Sequence, residues 1–216
     1  MSADLSLRIT EVFHSLQGET NTVGLPTVFV RLTGCPLRCN YCDTAYAFQG
    51  GDKVSLAEVI EKVRGYSTRY VTVTGGEPLA QPACVDLLHA LCDLNYKVSL
   101  ETSGALSVAK VDRRVVKVVD FKTPSSTECE RNDYDNIPYL RAQDQVKFVI
   151  ADYADYQWSV DCMQRYGLAD KCEVLFSPVY NACRNEQLAQ WILQDGLPVR
   201  FQIQLHKYIW GDQPGR

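Results

Sequence analysis

The sequence predicts an α/β fold: an incomplete TIM-like barrel of parallel β-α units, a single domain over residues 1–216. Three observations carry this prediction. Short runs rich in β-branched and apolar residues alternate with amphipathic runs, as in sheets built from crossover units. These units number about six, too few for a closed eight-fold barrel. The unusual short motifs of the chain all fall at the C-terminal ends of the strand-like runs, where such folds keep their chemistry.

The elements follow in order. VFVRLTG (28–34) reads as the first clear core strand, and a cysteine-rich loop, GCPLRCNYCDT (34–44), follows it. Ser55 and Glu58 have capping-box spacing and open a helix through VIEKVRGY. RYVTVTG (69–75) is a strand ending in glycines, and PACVDLLHALCDL (82–94) is helical. KVSLET (97–102) and VVKVVDFK (115–122) are strands. TPSSTECERNDYDN (123–136) is a polar insertion, read as a loop with freedom to move. DQVKFVI (144–150) is a strand before the helical YADYQWSVDCMQRYG, and CEVLFSPV (172–179) is a strand before the helical NEQLAQWILQDG. VRFQIQLH (199–206) reads as the last strand.

Composition narrows the function classes. With 46% hydrophobic and 22% charged residues the chain is ordinary for a globular protein. A net charge of −4 argues against a broad nucleic-acid footprint, so no direct nucleic-acid partner is expected. No run reaches the roughly 18 apolar residues of a membrane span. MSADLSLRIT has neither a basic leader nor an apolar core, so a cytoplasmic protein without a membrane anchor is expected. Nine cysteines is a high and odd count, which suits a reduced compartment with a metal site better than a disulfide scaffold. Six of them (Cys84, Cys92, Cys129, Cys162, Cys172 and Cys183) are scattered and read as small packing hydrophobes.

Cys35, Cys39 and Cys42 form a C-x3-C-x2-C cluster. Thiolates bind zinc, Cu(I) or iron–sulfur clusters. A structural zinc site takes four ligands, and only three are local here. A [4Fe–4S] cluster held by three cysteines leaves one iron open, as catalysis requires. A zinc site completed by a distant ligand is the alternative.

With Tyr41 before the third cysteine, this motif resembles the signature of the radical S-adenosylmethionine (SAM) superfamily, which implies a radical SAM core. It implies a [4Fe–4S] cluster on Cys35, Cys39 and Cys42, with SAM chelating the open iron and yielding a 5′-deoxyadenosyl radical on reduction. Gly75-Gly76-Glu77-Pro78, after the next strand, resembles the second motif of that superfamily, in which Glu77 would hold the SAM amino group. Taken alone it is a tight turn opening a helix.

HSLQGET (14–20), Arg31 four residues before the first cysteine, Asp43-Thr44 directly after the third, and the short chain together resemble the 7-carboxy-7-deazaguanine synthases. The resemblance implies ring contraction of 6-carboxy-5,6,7,8-tetrahydropterin with loss of ammonia, on the route to queuosine and related deazapurines. It implies Arg31 on the substrate carboxylate, Gln17 and Glu19 on the pterin edge, and backbone at Leu16 and Gly18. Thr74 and His206 are further substrate candidates. Thr44 would position Mg²⁺, a hard cation that takes few protein ligands. Tyr41 and Asp43 sit with the cofactor. Ser103, Lys122 and Thr123 lie where the ribose and carboxylate of SAM would bind, and Ser177, Pro178, Val179 and Tyr180 where its adenine would. Plainer readings stay open: Arg31 as a surface charge, Glu19 as a solvated loop acid, Thr44 as a turn cap, and ordinary turn chemistry for the rest. His14 and His89 read as structural, and no general acid or base is assigned. The resemblance also implies an electron donor such as a flavodoxin, and a homodimer. The rival readings are a glycyl-radical-enzyme activase with the same cysteine spacing and a zinc-binding interaction module.

Overall fold

The computed structural model describes residues 5–211, 213 and 215; residues 1–4, the start of the stretch read above for a leader, lie outside them. Among the described residues nine strands form one sheet: β1 (Ser6–Leu16), β2 (Pro26–Leu32), β3 (Asp52–Ser55), β4 (Tyr70–Gly75), β5 (Lys97–Thr102), β6 (Val116–Phe121), β7 (Gln145–Ile150), β8 (Glu173–Pro178) and β9 (Arg200–Phe201). Their order is β3-β1-β2-β4-β5-β6-β7-β8-β9, and among the described residues no ladder joins the two ends. From β2 to β9 every pairing is parallel. The fold is the expected open, partial barrel.

Two strands were not foreseen. β1 pairs antiparallel with both β2 and β3 and extends the parallel sheet by a polar edge. Only two of its eleven residues are buried, so it lacks the continuous apolar run that marks the other strands. The last strand is also corrected. Of residues 199–206 only Arg200–Phe201 pair as β9, and Leu205–Trp210 form a short helix, α5. His206 therefore sits in the first turn of α5 and not at a strand end.

The remaining helices are α1 (Leu56–Arg64), α2 (Ala83–Asp93), α3 (Tyr153–Tyr166) and α4 (Asn185–Asp195). Ser55 caps α1 in a full capping box: its hydroxyl accepts the Glu58 N–H while Glu58 accepts the Ser55 N–H. Asp152 caps α3, and Gly167, in the left-handed region at φ 58°, ends it.

Period-two alternation divides the sheet into two faces. Val30, Val73, Leu100, Val119, Phe121, Val146 and Phe148 are buried in the core with α1–α4 residues such as Val59, Leu87, Leu88 and Leu188. Their strand neighbours Arg31, Thr74, Glu101, Asp120 and Lys147 line a cavity on the other face. Of the scattered cysteines, Cys84, Cys92, Cys162, Cys172 and Cys183 are buried and Cys129 is half-buried, all as free thiols.

The polar insertion at 123–136 is not a loose loop. It folds into three short 3₁₀ turns with Ser126 and Asn136 fully buried. Asn136 accepts the Val108 N–H at 2.8 Å and donates to the carbonyls of Gly104 and Leu106.

Candidate active site

The cavity has a volume of about 640 Å³ and opens at the C-terminal ends of the parallel strands. Cys35, Cys39 and Cys42 line its wall, all partly exposed. Burial raises all three thiols, Cys39 to about 11, so a metal must displace their protons to bind. The end of β4 packs directly against this loop. A Cβ on Gly75, whose φ is 154°, would stand 2.2 Å from the Leu32 carbonyl oxygen; one on Gly76 would stand 2.3 Å from that of Gly34 and 2.9 Å from Cys35 Cβ. Only glycines allow this approach. The donor set is three soft thiols in one open wall. Among the described residues no three Cys, His, Asp or Glu side chains converge on a single metal ion.

The floor of the cavity is ionic. Lys147 lies 2.6 Å from Glu19 and 3.5 Å from Asp120, its register partner on β6. Lys122 lies 3.0 Å from the same Asp120 oxygen, while Asp120 Oδ1 is buried without a partner. Burial alone would raise the Glu19 carboxyl, but the charge and hydrogen bond of Lys147 more than offset it and hold Glu19 below the usual range. Burial disfavours the Lys147 ammonium, yet Glu19, Asp120 and Glu101 hold it well above the usual lysine value. Glu101 is raised: burial dominates, Lys147 compensates in part, and Glu19 adds repulsion. Its carboxylate accepts from Thr74 at 3.0 Å and from Gln17 at 3.4 Å.

Arg31 does not face solvent. Its Nε lies 2.7 Å from Glu11, and its guanidinium sits 5.7 Å from the ring centres of both Phe13 and Tyr46. Glu11 also accepts the Tyr46 hydroxyl at 2.8 Å. Thr44 makes no side-chain cap; its hydroxyl donates to Asp43 at 2.8 Å.

The segment around α5 closes one side of the cavity. Gln204 donates to Glu19 at 2.9 Å and to Asp43 at 3.1 Å, and Lys207 pairs with Asp43 at 2.9 Å. Burial would raise Asp43, but these partners together with Thr44 hold it below the usual range. His206 packs on Gly18, and burial depresses its pKa.

The structure brings most expected residues to one cavity: Leu16, Gln17, Gly18, Glu19, Arg31, Tyr41, Asp43, Thr44, Thr74, Gly75, Gly76, Ser103, Lys122, Val179, Tyr180 and His206 line it with the three cysteines. Four do not line it. Glu77 is fully buried, and its carboxylate accepts from Thr102, from Ser103 N and Oγ, and from Leu79 N. It braces the ends of β4 and β5. Thr123 is buried with its hydroxyl on the Val149 carbonyl. Ser177 and Pro178 finish β8 inside the protein, leaving Val179 and Tyr180 as the lining part of that motif. His14 lies beside Tyr66, and His89 bonds Asp112 outside the cavity. Glu101, Asp120, Lys147, Gln204 and Lys207 line the cavity without having been singled out; the first three carried a signal, a lone charge inside an apolar strand.

Comparison with known proteins agrees with this geometry. The Radical SAM superfamily profile matches residues 29–119, the stretch that holds the cysteines and the glycine pair. A 7-carboxy-7-deazaguanine synthase of Chlorobaculum tepidum is 43% identical over 213 residues, covering 97% of each chain. One of Koribacter versatilis is 40% identical over 219 residues, covering 94% of this chain and 97% of its own. Among solved structures, QueE from Escherichia coli matches with a TM-score of 0.78 over 93% of this chain and 95% of that one, at 20% identity, a likeness of fold.

Proposed function

The chain belongs to the 7-carboxy-7-deazaguanine synthases of the radical SAM superfamily, and from that premise we propose how its residues divide the work of contracting a 6-carboxytetrahydropterin to 7-carboxy-7-deazaguanine. The observation that carries the proposal is one cavity with three thiols on its wall and an ionic floor facing them. A [4Fe–4S] cluster on Cys35, Cys39 and Cys42, with bound SAM, would supply the radical that removes a hydrogen atom from the substrate.

The other groups bind and orient. Arg31 engages Glu11 through Nε, and a guanidinium has further N–H donors for the substrate carboxylate. The stacked Phe13 and Tyr46 rings fix its plane. Gln17, Glu19 and Glu101 offer acceptors and an amide to the pterin edge. Gln17 is itself held by Thr72 at 3.1 Å, which limits the ways it can point. The backbone of Gly75 and Gly76, with Ser103 and Lys122, faces the SAM side, and Val179 and Tyr180 its adenine.

Mg²⁺ is assigned to Thr44. The ion would be held mainly by substrate oxygens and water, with Thr44 and the adjacent Asp43 fixing its place. An electron donor such as a flavodoxin, a homodimer and a cytoplasmic location belong to the same reading.

The test is an anaerobic assay with reconstituted cluster, SAM, reductant, Mg²⁺ and 6-carboxytetrahydropterin. Formation of 7-carboxy-7-deazaguanine is expected. Cleavage of SAM with the pterin left intact would overturn the substrate. For the metal, Thr44→Ala should lose most of the stimulation by Mg²⁺ while keeping the brown cluster, and Thr44→Ser should retain much of it. An unchanged Mg²⁺ response in Thr44→Ala would place the ion elsewhere.

A further inference from the structure

We infer that residues 123–128 are the template that shapes the cysteine loop, with Glu128 and the Tyr41 hydroxyl as positioning residues for the cluster ligands. Three contacts join the two segments, and none of them uses a thiol. Glu128 Oε1 accepts the Arg38 backbone N–H at 2.5 Å. The Ser126 carbonyl accepts the Asn40 N–H at 3.2 Å. The Tyr41 hydroxyl meets Thr123 Oγ1 at 3.1 Å and donates to the Val149 carbonyl at 3.3 Å. Position 38 lies between the first two cysteines; positions 40 and 41 lie between the second and third. Each interval that sets a thiol-to-thiol spacing is therefore pinned from outside.

The template is itself fixed. Ser126 is fully buried, its hydroxyl donating to the Thr123 carbonyl at 2.6 Å and accepting the Glu128 N–H at 3.0 Å. Asp155, fully buried in the first turn of α3, accepts the Ser125 N–H at 3.0 Å. Thr123 Oγ1 donates to Val149 at 3.0 Å, tying the segment to the end of β7. From the opposite side Arg38 folds back over the loop, donating to the carbonyls of Cys35 and Leu37 at 2.7 and 2.6 Å with its guanidinium 4.4 Å from the Phe48 ring centre.

Ordering a loop costs backbone entropy at every residue fixed. A loop already held by protein hydrogen bonds loses less on taking up a cluster, so cluster affinity depends on residues that never touch iron. Tyr41 belongs to the cysteine motif; the inference concerns only its hydroxyl, which a phenylalanine lacks.

The experiment compares the full-length parent with Glu128→Ala, Glu128→Gln and Tyr41→Phe. Two readings are taken: loss of the visible absorbance of the reconstituted cluster to an excess of iron chelator under anaerobic conditions, and amide hydrogen exchange of residues 35–44 in the cluster-free chain. Glu128→Ala and Tyr41→Phe should each lose the cluster about 5–10-fold faster and exchange that segment faster, the effect of one lost hydrogen bond. Glu128→Gln keeps an acceptor and should stay within about twofold of the parent. Thermal melts separate a local effect from general unfolding; should Glu128→Ala fail to fold, Tyr41→Phe, which removes one oxygen, decides. Rates within about twofold of the parent for Glu128→Ala or Tyr41→Phe would overturn the inference, as would a Glu128→Gln protein as impaired as Glu128→Ala.

Discussion

The Lys147 ammonium stands 2.6 Å from the Glu19 carboxylate, joining the centre of β7 to the loop after β1 across 128 residues of sequence. The pair fixes the charge of the cavity floor. Glu19 also accepts from Gln204, so neither of its oxygens is left to solvent.

Replacing Lys147 by Met removes the cation paired with Glu19, while Asp120 keeps Lys122. Breaking a buried pair in this way costs about 3–5 kcal/mol. Lys147→Met should lower Tm clearly, and Lys147→Met with Glu19→Gln should recover part of the loss. The pH dependence has a defined sign. A carboxyl held below its ordinary value stabilises the fold above that value, and the contribution disappears as pH falls through the lowered one. Glu19 behaves in this way while Lys147 is present. Without Lys147, burial is the largest influence on Glu19 and raises it, so relative to the parent Lys147→Met should regain stability as pH falls instead of losing it. Superimposable curves would show that Lys147 does not hold the Glu19 charge.

Glu101 has the opposite sign. Its carboxyl is raised, chiefly by burial, so its protonated form favours the folded state and that contribution is lost as pH rises through the raised value. Glu101→Gln should be more stable than the parent near neutral pH and lose that advantage in mild acid. A gain of about 1 kcal/mol is about 2–4 °C in Tm for a chain of this size. Turnover should fall in the same protein, because an amide cannot accept on both atoms. A destabilised Glu101→Gln at neutral pH would contradict the assignment.

Arg31 is stacked, paired and pointed at once. Truncating one partner of a buried charge pair costs about 2–5 kcal/mol. Arg31→Ala should reduce kcat/KM for the pterin by two orders of magnitude or more, about 3 kcal/mol, and leave SAM cleavage without substrate far less affected. Arg31→Lys should rescue little, since an ammonium has neither the planar fork nor the stacking face. Recovery to near-parent kinetics in Arg31→Lys would mean that only the charge matters.

Gly18 meets His206 with no room for a side chain. A Cβ there would lie 1.9 Å from His206 Nδ1, while the Gly18 carbonyl accepts the Leu205 N–H at 2.9 Å. Gly18→Ala should push the imidazole out of the cavity, lowering turnover while iron content stays at the parent level. Adding His206→Ala should restore the melting temperature without restoring turnover. If Gly18→Ala alone turns over normally, the imidazole has no role at the site.

The short motifs were legible because their chemistry has few other uses: three thiols in one loop, two glycines where a chain must pass close, an arginine just before them. The parallel strands were legible from short runs rich in β-branched and apolar residues, such as Val71–Val73 and Val146–Ile150. β1 was not, because residues such as Arg8, Thr10 and Glu11 interrupt its apolar positions. Residues 199–206 misled because Val199, Phe201 and Ile203 favour strands intrinsically, while only Arg200–Phe201 pair and Leu205 and His206 open a helix. The partners of Glu77 were not legible: Thr102 and Ser103, which donate to its carboxylate, are brought close only by the fold. Lys147 and Asp120 were readable in principle, since a charge inside a buried strand must find a partner; which partner it finds is set by register.

The five buried thiols have a practical meaning for assembly chemistry. A cysteine attacks iron, sulfide or an oxidant as its thiolate and only where the reagent can reach it. Burial pushes Cys84 and Cys162 up to about 12 and Cys92 and Cys172 to about 11, and Cys183 is raised as well. Packed between helices and sheet, they are closed to ions in solution. A chain rich in metal-binding side chains thus offers adventitious iron few footholds. Selectivity for the right three sulfurs comes from shielding the wrong ones as well as from spacing the right ones.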